Sequence, residues 1–255
     1  MSDGLTPHEV RSYRRDGYLF PLPFLTPPSL QAAQLAIERL MSQCGHRARL
    51  PGTNLHFRWA YELASDPALL DRVESLLGPD ILVWGTLILS KAPDSRGFVA
   101  WHQDSAYTDF LNGSPSLSAW VAMTPATKLN GCMRAIAGSH GNRLPFTTDR
   151  HPDEITVRGL RVLAAIDTEN AVDIELQPGE ASLHDISIIH GSDANQSVQP
   201  RTGFIVRYAT PAMSDSGYPV QCVRGNAGNV KCVEPPLDDG PAAFRAYTEY
   251  LQLGN

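Results

Sequence analysis

The sequence predicts a mainly β fold of the α+β kind: a double-stranded β-helix, or cupin-like jelly roll, with buttressing helices at its N-terminal side. Three observations carry this expectation. Helix signals cluster in the first third of the chain, and short β-rich runs follow from about residue 80 to about residue 211. In addition, 20 Gly and 20 Pro in 255 residues supply the turns that many short elements need.

Each element has a local reason. Thr6-Pro7-His8-Glu9 combines an N-cap, a proline at the first helical position and a capping-box glutamate, which opens a helix running toward Asp16-Gly17. Thr26-Pro27-Pro28 opens a second, whose apolar residues Leu30, Ala33, Ile37, Leu40 and Met41 recur at helical steps. Asp66-Pro67 starts a third, with Leu69, Leu70, Val73 and Leu77 on one side and Gly78 as its stop. Then the period changes. Ile81–Trp84, Leu87–Leu89, Ser118–Met123, Cys132–Ala137, Val172–Leu176, Ala181–Ile189 and Gly203–Tyr208 read as strands, parted by turns such as Asn130-Gly131 and Pro178-Gly179. The polar segment Thr147–Arg161 reads as a long loop, and 212–255 as an irregular and helical tail. With no repeat and no low-complexity linker, one domain over 1–255 is expected: helices to about 79, a jelly-roll core over about 80–211, and the tail.

Composition narrows the function. With 42% hydrophobic and 19% charged residues the chain reads as a folded globular protein. A net charge of −6 without a basic run argues against nucleic acid or an anionic membrane as partner. The cysteines at 44, 132, 222 and 232 form no CxxC pair or zinc spacing, so they are expected to be reduced. No secretory signal and no apolar run of about 20 residues is visible, so a soluble cytoplasmic protein acting on a small molecule is expected.

The chemistry centres on His102-Gln103-Asp104. Residues two apart on an extended chain point to the same side, so His102 and Asp104 can address one point, as two ligands of the facial iron triad do. His190 suits the third position, closing the apolar run Ile186–Ile189 beside the turn Gly191-Ser192. The neighbouring pair His184-Asp185 is a possible rival. Eleven residues beyond His190 stands Arg201, ahead of Gly203–Val206. A dicarboxylate that chelates a metal at one end needs a fixed cation for the other, and a guanidinium offers it a planar fork.

These residues, together with Trp120, Asn130–His140 and Asn195, resemble the phytanoyl-CoA dioxygenase family. That family's pattern is HxD, a tryptophan sixteen residues after the aspartate, an NG…GSH segment, HxS, and an arginine eleven residues past the distal histidine. Asp104 to Trp120 and His190 to Arg201 match both spacings, and Ala137 stands where the family usually carries proline. The resemblance extends over roughly Thr6 to Pro211.

The resemblance implies Fe(II) held by His102, Asp104 and His190, with 2-oxoglutarate and O2 as co-substrates and succinate and CO2 as products. It implies that Arg201 and Ser192 bind the distal carboxylate, with Trp120 lining that pocket. Asp104 stands where related halogenases carry Gly or Ala, so hydroxylation, or desaturation or cyclisation after the same hydrogen abstraction, is expected rather than halogenation. Asn195 is expected to bond the backbone of the His190 turn, and Gly138-Ser139-His140 to be structural. Asn54, His56, Trp59, Tyr107, Arg134 and Arg207 are candidates for contact with substrate; the two arginines lie in apolar strands, where a cation is paired or aimed at an anion. Two alternatives remain at this stage: a cupin-like metalloenzyme that does not use 2-oxoglutarate, and a non-catalytic jelly-roll binding module.

Overall fold

The structure, a computed structural model, describes residues 4–156, 159–213 and 217–253. In chain order the elements are α1 (Pro7–Asp16), β1 (Tyr18–Pro23), α2 (Pro27–Gln43), β2 (Arg49–Pro51), α3 (Arg58–Ala64), α4 (Pro67–Leu77), β3 (Ile81–Lys91), β4 (Val99–His102), β5 (Ser116–Ala122) and β6 (Met133–Ala135). A two-strand ribbon, β7 (Phe146–Thr147) and β8 (Arg161–Val162), brackets the long polar segment. Then come β9 (Val172–Ile174), β10 (Glu180–Asp185), β11 (His190–Ser192), β12 (Arg201–Ala209), β13 (Gln221–Arg224) and α5 (Pro241–Gln252).

A seven-stranded sheet runs β1-β10-β5-β12-β3-β13, with β2 also paired to β3, and a four-stranded sheet runs β4-β11-β6-β9. They stay separate sheets and do not join into a closed barrel. Period-2 alternation divides the large sheet into two faces. Phe204, Val206 and Tyr208 of β12, Leu117, Ala119 and Val121 of β5, and Ala181 and Leu183 of β10 share one apolar core with Tyr13, Ile37, Leu40, Leu69, Val73 and Tyr247 of the helices. The intervening residues face the small sheet, where Leu87, Leu89, Trp120 and Ile205 pack with Val99, Met133, Ala135 and Ile174.

The three expected N-terminal helices form where their caps lie. Thr6 and Glu9 complete the capping box of α1, and Thr26 and Asp66 cap α2 and α4. The run Ala181–Ile189, expected as one strand, is divided. β10 ends at Asp185 in the large sheet, whose carboxylate accepts from Ser187 N at 2.7 Å, and the chain turns over Ile186–Ile189 to start β11 in the small sheet. Its uniform hydrophobicity marked burial and concealed the crossing. Conversely, the two runs expected on either side of Gly85 are a single strand, β3. The described cysteines are all unpaired with one another. Among the described residues no helix is long and apolar enough to cross a membrane.

Candidate active site

Strand pairing assembles the polar cluster. His102 closes β4 and His190 opens β11, and the two are antiparallel partners with ring centroids 4.2 Å apart. Asp104 lies just beyond, at the start of a short 3-10 turn, with its Oδ1 3.5 Å from His102 Nε2. One ligand atom from each of His102, Asp104 and His190 lies within 4.8 Å of the others, and all three residues are buried. His102 Nδ1 sits 2.8 Å from Ala100 O and His190 Nδ1 3.0 Å from Ile188 O. A carbonyl only accepts, so Nδ1 carries the hydrogen in each ring and Nε2 offers its lone pair to the cluster. Ser139 Oγ accepts from Ile189 N at 2.9 Å, which fixes the backbone that carries His190.

Electrostatics favours a cation at this point. Burial and His102 pull His190 down to about 3, so its imidazole is neutral. Burial also opposes charge on Asp104, but the neighbouring Arg207 guanidinium leads the influences that outweigh it and hold the carboxyl well below the usual range. Tyr107 Oη donates to Asp104 Oδ1, Ser118 Oγ donates to Oδ2 at 3.3 Å, and Arg207 Nε stands 3.8 Å from Oδ2. Two imidazole Nε2 atoms and one carboxylate converging on a point suit iron(II), with the facial arrangement leaving positions open.

Behind the cluster a chamber of about 60 Å³ leads to Trp120, Ser192 and Arg201. Arg201 is 1% exposed, yet its Nε and Nη1 have no hydrogen-bond partner. Its guanidinium lies over the Trp120 ring, 4.5 Å from the centroid. Burial pulls it down to about 10, an energetic penalty that an arriving anion would relieve. Gly203 makes this stacking possible, because a Cβ there would stand 2.1 Å from the Trp120 ring. Lys91, the last residue of β3, which the sequence reading passed over, is buried on the same face of the sheet.

A larger cavity of about 500 Å³ opens on the other side, sharing His102, Asp104, Thr156 and Arg207 with the chamber. Tyr107 and Arg207, two of the substrate candidates, line it, and Arg207 is engaged with Asp104 and Tyr107. Four other candidates are corrected. Asn54 is buried in bonds to Thr86 and Gln221 at 2.8 Å, and His56 packs on Tyr247 and Tyr250. Trp59 belongs to the helix-side core beside Phe57 and Phe204. Arg134 pairs with Asp173 at 2.8 Å and lies over Trp101. Asn195 does not serve the His190 turn; it donates to Lys91 O, Ala92 O and Gln199 O and ties down the end of β3. Sequence reasoning missed the aromatic wall formed by Trp84, Phe110 and Tyr218, in which Phe110 and Tyr218 stack at 4.7 Å. It also missed Thr156, placed by buried Glu154, whose carboxylate accepts from Ala100 N at 3.1 Å and from Thr156 Oγ1 at 2.8 Å. Phe110, Tyr218 and Thr156 lie in segments without periodic pattern.

The model of the phytanoyl-CoA dioxygenase family matches residues 13–203. The chain belongs to that family. A probable phytanoyl-CoA dioxygenase of Caenorhabditis elegans is 27% identical over 157 residues, which is 58% of this chain and 50% of that protein. The chain thus spans about half the length of that relative. An ectoine dioxygenase of Halomonas elongata is 26% identical over 236 residues, covering 81% of this chain and 71% of the relative. Among solved structures, that of ThoJ, a non-heme monooxygenase, superposes with a TM-score of 0.81 at 31% identity and covers 95% of this chain and 94% of its own.

Proposed function

We propose that this family member is an Fe(II)- and 2-oxoglutarate-dependent oxygenase that hydroxylates a small-molecule metabolite. The observation that carries the reading is Arg201: a buried cation with unpaired donors, at the far end of a chamber whose near end is His102, Asp104 and His190. That separation of charge fits a molecule with a chelating end and a distal carboxylate. A non-catalytic module, or a metalloenzyme without such a co-substrate, would leave that cation unanswered.

His102, Asp104 and His190 would hold the metal on one face. Iron bound there, with 2-oxoglutarate and O2, would supply the oxidising power to break a substrate C–H bond, releasing succinate and CO2. The chain's own residues do the positioning. Arg201 and Ser192 receive the distal carboxylate, and Trp120 forms the wall along it. Asp104 retains a coordination position and a negative charge that disfavour halide, which favours hydroxylation, or desaturation or cyclisation, over halogenation. The larger cavity, bordered by Tyr107, Arg207 and the aromatic wall, receives the substrate next to Asp104. We further read the chain as one catalytic unit working in the cytoplasm, consistent with both sheets contributing to the site.

The test is succinate formation by the iron-loaded protein with 2-oxoglutarate, screened against a metabolite library. Stimulation by a substrate that acquires one oxygen is the expected result. A protein that binds iron(II) but never consumes 2-oxoglutarate would refute the reading.

A further inference from the structure

The co-substrate chamber borders a buried lysine to which this mechanism gives no role. Lys91 ends β3 directly opposite Arg201 on β12, so the two side chains project from the same face of the large sheet. Lys91 is 1% exposed. Its Nζ meets three neutral oxygens: Ser192 Oγ at 2.7 Å, Gly131 O at 3.3 Å, and Asp193 O. Gly131, at φ 72°, permits this approach, since a Cβ there would collide with Asp193 O at 2.2 Å.

Counting hydrogens distinguishes two states of this cluster. The carbonyls of Gly131 and Asp193 can only accept. An uncharged amine gives one hydrogen to each and turns its lone pair to Ser192, whose hydroxyl must then donate to it. An ammonium has three hydrogens and no lone pair, so it donates to all three oxygens and frees the Ser192 hydrogen. Ser192 and Arg201 line the same chamber.

Resting on the reading of this chamber as the 2-oxoglutarate site, we propose that Lys91 is a positioning residue that takes up one proton as the distal carboxylate arrives beside Arg201. The uptake turns the Ser192 hydroxyl from a donor to Lys91 into a donor to that carboxylate. The proton comes from solvent and joins the Nζ lone pair, and no bond of the co-substrate changes. Before that carboxylate arrives, burial and the facing Arg201 pull the amine down to about 6, against the opposing influence of Asp193, Cys132 and Glu154. The protein thereby avoids two adjacent buried cations until an anion is present to offset them.

The experiment is calorimetry of 2-oxoglutarate binding to the Mn(II)-saturated protein in Tris and in phosphate, whose ionisation enthalpies differ. Saturating the metal first separates proton release by His102, Asp104 and His190 from the event of interest. At pH 7.5 the wild-type enthalpies should differ by nearly one proton's worth, and the difference should fade below about pH 6, where the amine is already charged. Linkage then requires the dissociation constant to weaken by roughly tenfold per pH unit above that point. Lys91→Gln should bind more weakly, with enthalpy independent of buffer. Normal wild-type binding without proton uptake, or with uptake that does not vary with pH, overturns the role of Lys91 and leaves the 2-oxoglutarate reading standing. Equal uptake by a folded Lys91→Gln protein overturns it as well. Absence of any 2-oxoglutarate binding to the metal-loaded protein overturns both.

Discussion

Replacing Arg201 with methionine should move stability and co-substrate binding very differently. A guanidinium held at about 10 instead of its ordinary 12.5 carries a burial cost of about 3–4 kcal/mol, at about 1.4 kcal/mol for each tenfold. Methionine removes that cost. It also removes the stacking on Trp120, worth about 2 kcal/mol for a desolvated pair. The two largely offset each other, so the metal-loaded protein without 2-oxoglutarate should unfold within about 2 kcal/mol of wild type, with the variant no less stable. Truncating an ordinary buried side chain costs about 2–5 kcal/mol instead. Binding has no such compensation. A buried carboxylate deprived of its cation loses about 3–5 kcal/mol, or roughly a hundred- to a thousandfold or more in affinity. Thermal unfolding with and without 2-oxoglutarate reads both quantities in one series. The wild type should be stabilised by the ligand and Arg201→Met should not. A variant that loses several kcal/mol before ligand is added, or that keeps the ligand-induced rise, would show that Arg201 is a structural cation and not a receptor.

Further predictions follow from the same geometry. His102→Ala and His190→Ala should each abolish binding of one Fe(II) per chain, whereas His184→Ala should retain it; metal analysis of the purified variants decides, and the reverse pattern would give His184 the third ligand position. Gly203→Ala drives a methyl group into the Trp120 ring at 2.1 Å, so the indole must leave Arg201. Overpacking of this kind costs about 1–3 kcal/mol, and it should appear as weaker 2-oxoglutarate binding together with altered tryptophan fluorescence. In high chloride or bromide the wild-type product should carry no halogen by mass spectrometry, because Asp104 retains its coordination position; a halogen isotope pattern would contradict that role.

The ligands and the arginine were legible in the sequence because their chemistry is local. An imidazole and a carboxylate two residues apart, and a histidine and an arginine at the ends of adjacent apolar runs, need only the alternation of extended chain to be brought together. The helices were legible for the same reason: caps at Thr6, Thr26 and Asp66 act within one turn. Contacts that depend on tertiary closure were not. Asn54 and His56 stand near the sheet edge in sequence, yet Gln221 and the Tyr247–Tyr250 pair draw their side chains into structural contacts from more than 160 residues away. Arg134 carried the signature of a substrate cation, a charge within an apolar strand. Its partner Asp173 lies on β9, a pairing that no local pattern announces.

Lys91 shows how much of the site follows from parity. Along β12 the residues Arg201, Gly203, Ile205 and Arg207 face the small sheet, while Phe204, Val206 and Tyr208 face the helices. Opposite residues in an antiparallel pair share a face, so Lys91 must accompany Arg201. Toward the other end of β3 the register slips: Arg207 pairs with Gly85 and Tyr208 with Val83, leaving Trp84 as an extra residue. Such a bulge lets two consecutive residues border one space, and Trp84 and Gly85 both line the larger cavity, with the Arg207 guanidinium 5.3 Å from the Trp84 ring centroid. Regular pairing therefore builds the cationic end of the small chamber, and a one-residue irregularity in the same two strands builds the aromatic side of the large one. A register change between β3 and β12 would disturb both chambers together. Substitutions confined to Trp84 should alter the choice of substrate and leave 2-oxoglutarate binding intact.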